Sequence, residues 1–267
     1  MPKFAANLSM LFTEVGFLDR FESARKYGFE AVEYLSPYEH DAKAIEQRLR
    51  DNGLQQVLFN MPAGDRPRGD RGIACQPDRQ NEFREAVPVA LAYAQTLGST
   101  YINCLAGIAP PSVPRAALHD TYVENLHHVC AEAAKAGIKV VIEPLNPDDF
   151  PGFFLTRTDQ AAAIVAEVGA ANLGIEYDVY HAQMSEGNLV ATVRRHLPQI
   201  WHMQVADVPT RQEPGTGEIR FEYLFSELDR MGYAGWIGCD YHPSSEAYDH
   251  LAWVRPYLER RSPGGDR

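Results

Sequence analysis

The chain has 267 residues, a hydrophobic share of 45%, a net charge of −11 and a pI near 5.3. That is enough apolar matter for a sizeable core and excludes a disordered chain. The acidity argues against a nucleic-acid surface and against adhesion to anionic membrane.

The first strand-like run covers residues 3–8, and residues 17–27 predict an amphipathic helix stopped by Gly28. A strand over 31–35, a helix over 41–51 closed by Asn52-Gly53, and a strand over 56–60 follow. A long loop rich in Gly, Pro and Arg, 62–78, has the composition of a lid and leads into a helix over 79–97. The next strand is 101–105, and the Pro-rich stretch 110–114 precedes a helix over about 118–136. The second half repeats the rhythm. Strands at 139–143, 173–178, 200–204 and 236–240 alternate with helices at 156–168, 186–196, 221–231 and 247–260. The tail 260–267 reads as frayed. Eight alternating pairs imply a parallel sheet covered by helices. Together with the length, they favour closure into a (β/α)8 TIM barrel, an α/β fold, as a single domain over 1–267. A doubly wound sheet is the alternative, but neither G-x-G-x-x-G nor a phosphate-loop motif occurs.

No segment approaches the roughly 18 apolar residues of a membrane span, and Met1-Pro-Lys-Phe-Ala-Ala-Asn lacks a signal-peptide pattern. Cys75, Cys104, Cys130 and Cys239 form no C-x-x-C pair and read as reduced thiols. A cytoplasmic protein is expected, with a homo-oligomer left open.

Four of the second-half strands end in an oxygen-bearing side chain: Glu143, Asp178, Gln204 and Asp240. In a closed barrel these strand ends converge on one face. Four oxygens on a rigid ring suit a hard divalent ion, Mg²⁺ or Mn²⁺, and disfavour zinc. Taken singly each has an ordinary role: Asp178 is placed to cap a helix, and Gln204 needs only a hydrogen-bond partner. His181, in Tyr177-Asp-Val-Tyr-His181, is placed to meet the same mouth as a ligand, a supporting donor or a substrate contact. Alternation turns His202 the same way as Gln204. Arg211 and Arg71, both on loops, are the candidates for gripping an anionic substrate, with Glu213 placed to orient Arg211. The Gly215-Thr-Gly217 turn reads as a loop device rather than a phosphate cradle.

At these residues the chain resembles the hydroxypyruvate isomerase family of the xylose-isomerase-like TIM barrels. The segments that carry the likeness, in order, are Phe4-Ala-Ala-Asn-Leu-Ser-Met-Leu-Phe12, Arg71-Gly-Ile-Ala-Cys75, Ile102-Asn-Cys-Leu105, Ile142-Glu-Pro-Leu-Asn146, Tyr177-Asp-Val-Tyr-His181, Gln204-Val-Ala-Asp207, Glu213-Pro-Gly-Thr-Gly-Glu-Ile219 and Trp236-Ile-Gly-Cys239. The resemblance implies that Glu143, Asp178 and Gln204 ligate a divalent metal and that Glu143 also carries a proton. It places a second catalytic glutamate at the end of the last strand, where this chain has Asp240, shorter by one methylene. It also implies interconversion of hydroxypyruvate and 2-hydroxy-3-oxopropanoate through an enediolate, with no organic cofactor and a small 2-oxo acid as the substrate. The rivals are a 2-oxo-tetronate isomerase, a ketose epimerase, a barrel impaired by the change at 240, and an apurinic-site endonuclease of the same superfamily.

Overall fold

The computed structural model describes residues 2–245 and 248–259. Eight parallel strands close in chain order: β1 (Lys3–Asn7), β2 (Ala31–Tyr34), β3 (Gln55–Asn60), β4 (Tyr101–Asn103), β5 (Lys139–Ile142), β6 (Leu173–Asp178), β7 (Ile200–Val205) and β8 (Trp236–Cys239), the last pairing with β1. The helices outside the barrel are α1 (Arg20–Lys26), α2 (Ala42–Asn52), α3 (Gln80–Leu97), α4 (Arg115–Lys135), α5 (Thr158–Val168), α6 (Val179–Ser185), α7 (Leu189–His196), α8 (Phe221–Met231) and α9 (Arg255–Glu259).

Local chemistry explains most of the boundaries. The Asp41 carboxylate accepts from the amides of Lys43 and Ala44 and so starts α2. Gly53 ends α2 with a left-handed φ of 59°. The segment expected as one helix over 17–27 begins instead as a 3₁₀ turn, Phe17–Asp19. The short α6 was not foreseen, because Asp178 ends a strand and caps a helix with no loop between. The helix expected over 247–260 is a 3₁₀ turn at Tyr248–Leu251 followed by α9. Its two ends and the tail 260–267 lie outside the described residues.

The long 62–78 segment is fastened rather than free. Gly72 and Ala106 form an isolated bridge, the Cys75 amide donates to the Ala106 carbonyl, and Arg79 pairs with Asp70 at 2.8 Å. Gly72 and Gly107 have φ near 95° and 99°, and a Cβ on either would overlap backbone of the other segment. All four cysteines are buried and unpaired. No described helix is long and apolar enough to cross a membrane.

Inside the barrel the side chains change character from one end to the other. At the amino ends Ala5, Ala31, Val57, Leu58 and Val141 pack with Tyr101, Trp201 and Trp236. Lys3 and Lys139 lie over the Trp236 and Trp201 rings. Above this plug sit Glu33, Glu176 and His202, all fully buried, where such barrels usually hold branched apolar residues. At the carboxyl ends come Asn7, Asn60, Asn103, Glu143, Asp178, Gln204 and Asp240.

Glu176 has a buried oxygen, Oε2, with no hydrogen-bond partner. Burial, then the charges of Glu143 and Glu33, push its pKa well above the carboxylate range. The folded chain therefore keeps a proton that the unfolded chain releases near pH 4.3. This group's contribution to stability is full below that pH and declines as the pH rises through the raised value. Glu176→Gln should remove the decline. In EDTA at pH 8 the variant is expected to melt roughly 2–4 °C higher, the shift for about 1 kcal/mol in a chain of this size, with the gap closing towards pH 4. Thermal midpoints at both pH values check this, and an equal gap at both would assign the gain to packing.

Candidate active site

The mouth of the barrel gathers buried acids around one guanidinium. Glu143 follows β5 directly, and its Oε2 accepts from Asn103 Nδ2 at 2.8 Å. Burial, then Asp178 and Asp240, raise the pKa of Glu143 well above the usual range. Asp178 has a double role. Its Oδ1 accepts from the amides of Tyr180 (2.7 Å) and His181 (3.4 Å), capping α6, while its Oδ2 is buried and unpartnered. Burial lifts its pKa to about 7 against the pull of Arg211. One oxygen of the side chain thus caps the helix while the other is left without a hydrogen-bond partner.

Asp240 has both oxygens engaged. Asn7 Nδ2 donates to Oδ1 at 2.7 Å, and Arg211 Nη2 donates to Oδ2 at 2.5 Å. The same Arg211 nitrogen lies 3.8 Å from Asp178 Oδ2, and the guanidinium stacks 5.1 Å from the Tyr180 ring. Burial opposes the charge of Arg211, but Asp240 and Asp178 outweigh it and raise its pKa overall. Arg211 is one of three non-glycine residues with positive φ among the described residues, at 55°, so the loop holds it in a strained left-handed conformation. Asp207 fastens that loop by accepting from the amides of Val208, Gly215, Gly217 and Ile219. The two glycine amides are thereby used within the loop, as expected of a loop device. Glu213 does not orient Arg211, contrary to expectation. Its carboxylate instead accepts from the amide and hydroxyl of Ser244.

The tautomer of His181 follows from its partners. Asn146 Oδ1 accepts from the Asp149 amide, so Asn146 Nδ2 is a donor, and it sits 2.8 Å from His181 Nδ1. The Asn146 backbone N–H donates to the same Nδ1 at 3.3 Å. Nδ1 is thus an acceptor, and the neutral ring carries its proton on Nε2, which faces Asp178 Oδ2 at 3.7 Å. Burial and Arg211 both lower the pKa of His181, keeping the ring neutral. The side chain presents an N–H donor to the mouth.

Glu143, Asp178 and His181 each bring an atom within 4.8 Å of the others, the one such grouping among the described residues, and with its Nε2 protonated His181 stands beside the two carboxylates as a donor. The unpartnered Asp178 Oδ2, the raised pKa values and the guanidinium drawn between two acids all fit a place for positive charge. An oxygen-rich donor set of this kind suits a hard cation. Gln204 borders the mouth with its Nε2 donating to Glu33 Oε1 at 2.7 Å, which leaves Oε1 as its free end. Arg71 stands apart. Its Nη1 donates to the carbonyls of Asp70 (2.7 Å) and, weakly, Arg66 (3.4 Å), and it lines a small cleft with Asn60 and Leu105. A cavity of about 600 Å³ lies away from these residues, between the 214–220 loop with the start of α8 and Trp253 and Tyr257.

Sequence reasoning passed over Glu33, Asn7, Asn146 and Glu176. The available signal was a carboxylate in mid-strand, at Ala31-Val-Glu-Tyr34 and Leu173-Gly-Ile-Glu-Tyr-Asp178. A solvated edge would explain such a residue equally well.

Residues 21–257 match the model of the xylose isomerase-like TIM barrel family. A 2-oxo-tetronate isomerase of Cupriavidus necator is 47% identical over 97% of this chain and all of its own length. A hydroxypyruvate isomerase of Escherichia coli is 46% identical over 96% of this chain and all of its own length. Among solved structures, a Brucella melitensis protein described as an AP endonuclease of family 2 superposes with a TM-score of 0.94 at 42% identity, covering 96% of this chain and 99% of that one. The chain belongs to the xylose isomerase-like TIM barrel family, with curated isomerases named for hydroxypyruvate and 2-oxo-tetronate among its relatives.

Proposed function

We propose that this protein is a divalent-metal-assisted isomerase of a small 2-oxo acid, interconverting hydroxypyruvate and 2-hydroxy-3-oxopropanoate. The observation that carries the reading is the buried grouping of Glu143, Asp178 and His181, with Asp240 drawn towards it by Arg211. Glu143, Asp178, Gln204 and Asp240 would hold Mg²⁺ or Mn²⁺, which when bound stabilises negative charge developing on neighbouring substrate oxygens.

The chain's own groups supply the rest. Burial, Asp178 and Asp240 raise the pKa of Glu143 above the usual carboxylate range, and this carboxylate takes a proton from one carbon and returns it to the next. Asp240 is the second proton-handling carboxylate. The His181 Nε2–H donates to a substrate oxygen, and the neutral ring keeps that proton throughout. Arg211, with Arg71 at the outer cleft, neutralises the substrate carboxylate. Proton transfer between adjacent carbons requires no redox partner.

A second reading, favoured by the 47% identical relative, is that a four-carbon 2-oxo acid is the better substrate. The residues above serve both. Steady-state kinetics with Mn²⁺ on the two acids decide between them through kcat/KM, and failure to turn over either would overturn the proposal. An endonuclease reading is opposed by the net charge of −11 and by the ring of acids, which repel a phosphate backbone.

Glu143→Gln should lower kcat by about 10²–10⁴-fold, the usual weight of a general acid–base group. A kcat within threefold of the parent would remove Glu143 from proton transfer. Arg71→Gln and Arg211→Gln should each raise KM for the 2-oxo acid. Arg211→Gln should also lower the thermal midpoint in EDTA, because Asp240 is left buried without its partner, and Mn²⁺ should recover it. If both variants keep the parental KM, the carboxylate is gripped elsewhere.

A further inference from the structure

Below the mouth lies a carboxylate that the proposed chemistry does not use. Glu33 is fully buried in the barrel; its Oε1 accepts from Gln204 Nε2 (2.7 Å) and Asn7 Nδ2 (3.2 Å), and its Oε2 lies 2.6 Å from His202 Nε2. Asn7 Nδ2 also donates to Asp240, so one amide group joins Glu33 to the ring above. Space for Glu33 exists only because position 238 lacks a side chain. A Cβ on Gly238 would overlap both Glu33 oxygens, and Gly238 pairs in register with Gln204.

A buried carboxylate is a poor way to fill a barrel. It is costly to desolvate, and apolar residues of similar volume often replace buried ions at no loss of stability. What a carboxylate provides and an apolar side chain does not is a choice of direction. The two ends of a glutamine amide have nearly the same shape but opposite hydrogen-bonding sense. Glu33 Oε1 accepts from the Nε2 end and so leaves Gln204 Oε1 for the mouth. We infer that Glu33 is a positioning residue: it fixes Gln204 with its carbonyl oxygen available to a divalent cation and, through Asn7, holds Asp240 in place. This inference rests on the metal reading above.

The test exchanges donor and acceptor. Gln204→Glu sets a carboxylate oxygen against Glu33 where an N–H now donates, and Mn²⁺ affinity, measured by calorimetry at pH 8, should fall at least tenfold. Adding Glu33→Gln restores a donor–acceptor pair with its sense reversed, and affinity should return to within about threefold of the parent. Gly238→Ala, which crowds Glu33 without touching the mouth, should weaken Mn²⁺ at least fivefold. Thermal midpoints of the two single variants and the double variant are read in EDTA. There the two substitutions should offset one another, which contacting groups do and independent ones do not.

Full affinity in Gln204→Glu overturns the inference, as does the absence of recovery in the double variant. Offsetting midpoints without the affinity pattern reduce Glu33 to a structural role and overturn it equally. A parent that binds Mn²⁺ and shows the whole pattern, yet turns over no 2-oxo acid, sinks the substrate reading and supports the role of Glu33. A parent that binds no Mn²⁺ sinks the metal reading and, with it, the positioning role. The midpoints then test only the Glu33–Gln204 contact.

Discussion

The buried negative charge at and below the barrel mouth sets the terms for everything around it. Glu33, Glu143, Glu176, Asp178 and Asp240 are all buried within the closed sheet or at its mouth. Crowding of buried acids is relieved by an upward pKa shift of some of them or by drawing in a cation. Both responses are visible. Glu143, Glu176 and Asp178 are all shifted upwards, and the Arg211 guanidinium is drawn in between Asp240 and Asp178. Buried ion pairs of this kind seldom repay their desolvation. The arrangement is therefore better understood as a site prepared for positive charge than as a device for holding the fold together.

Much of the surrounding architecture delivers Arg211 to that place. The residue sits seven positions beyond Gln204 in a loop whose path is fixed by Asp207, which binds four backbone amides. The Arg211 carbonyl in turn accepts from the His242 amide, tying this loop to the one after β8. A backbone φ of 55° is the cost of turning a long side chain inwards at this point. On the opposite side the Glu143-Pro-Leu-Asn146 segment does the same for His181. Asn146 donates to the ring from both its amide groups and so fixes which nitrogen carries the proton.

How far the site could be read from the sequence depends on how its residues are held. Glu143, Asp178, Gln204 and Asp240 were legible because each ends an apolar run, and strand ends in this fold share one face. His181 was legible because it stands three residues after Asp178 where a strand emerges, although the helix that carries it was not. Glu213 misled for a related reason. It is close to Arg211 in sequence, but its carboxylate is taken by Ser244 on another loop. Arg71 rests its guanidinium on its own loop's carbonyls beside the outer cleft, a placement that its sequence neighbours do not reveal. Nearness along a loop does not fix direction in space.

What the sequence determined by itself is the alternation of strand and helix, the order of the eight strands, and the identity of the groups at their carboxyl ends. These follow from local periodicity and from turn residues such as Gly53, Gly98 and Gly232, which act within a few positions of chain. Only the tertiary structure decided which polar groups meet inside the barrel. Glu33 joins His202 and Gln204 across about 170 residues of chain, and Asn7 joins Asp240 across 233. Closure of β8 onto β1 brings the two ends of the chain together, and the missing Cβ of Gly238 leaves the room that Glu33 fills. Such contacts depend on barrel closure and register, which no local pattern encodes. The same holds for the tautomer of His181 and the direction of Gln204, each set by a hydrogen-bond partner from a different strand or loop.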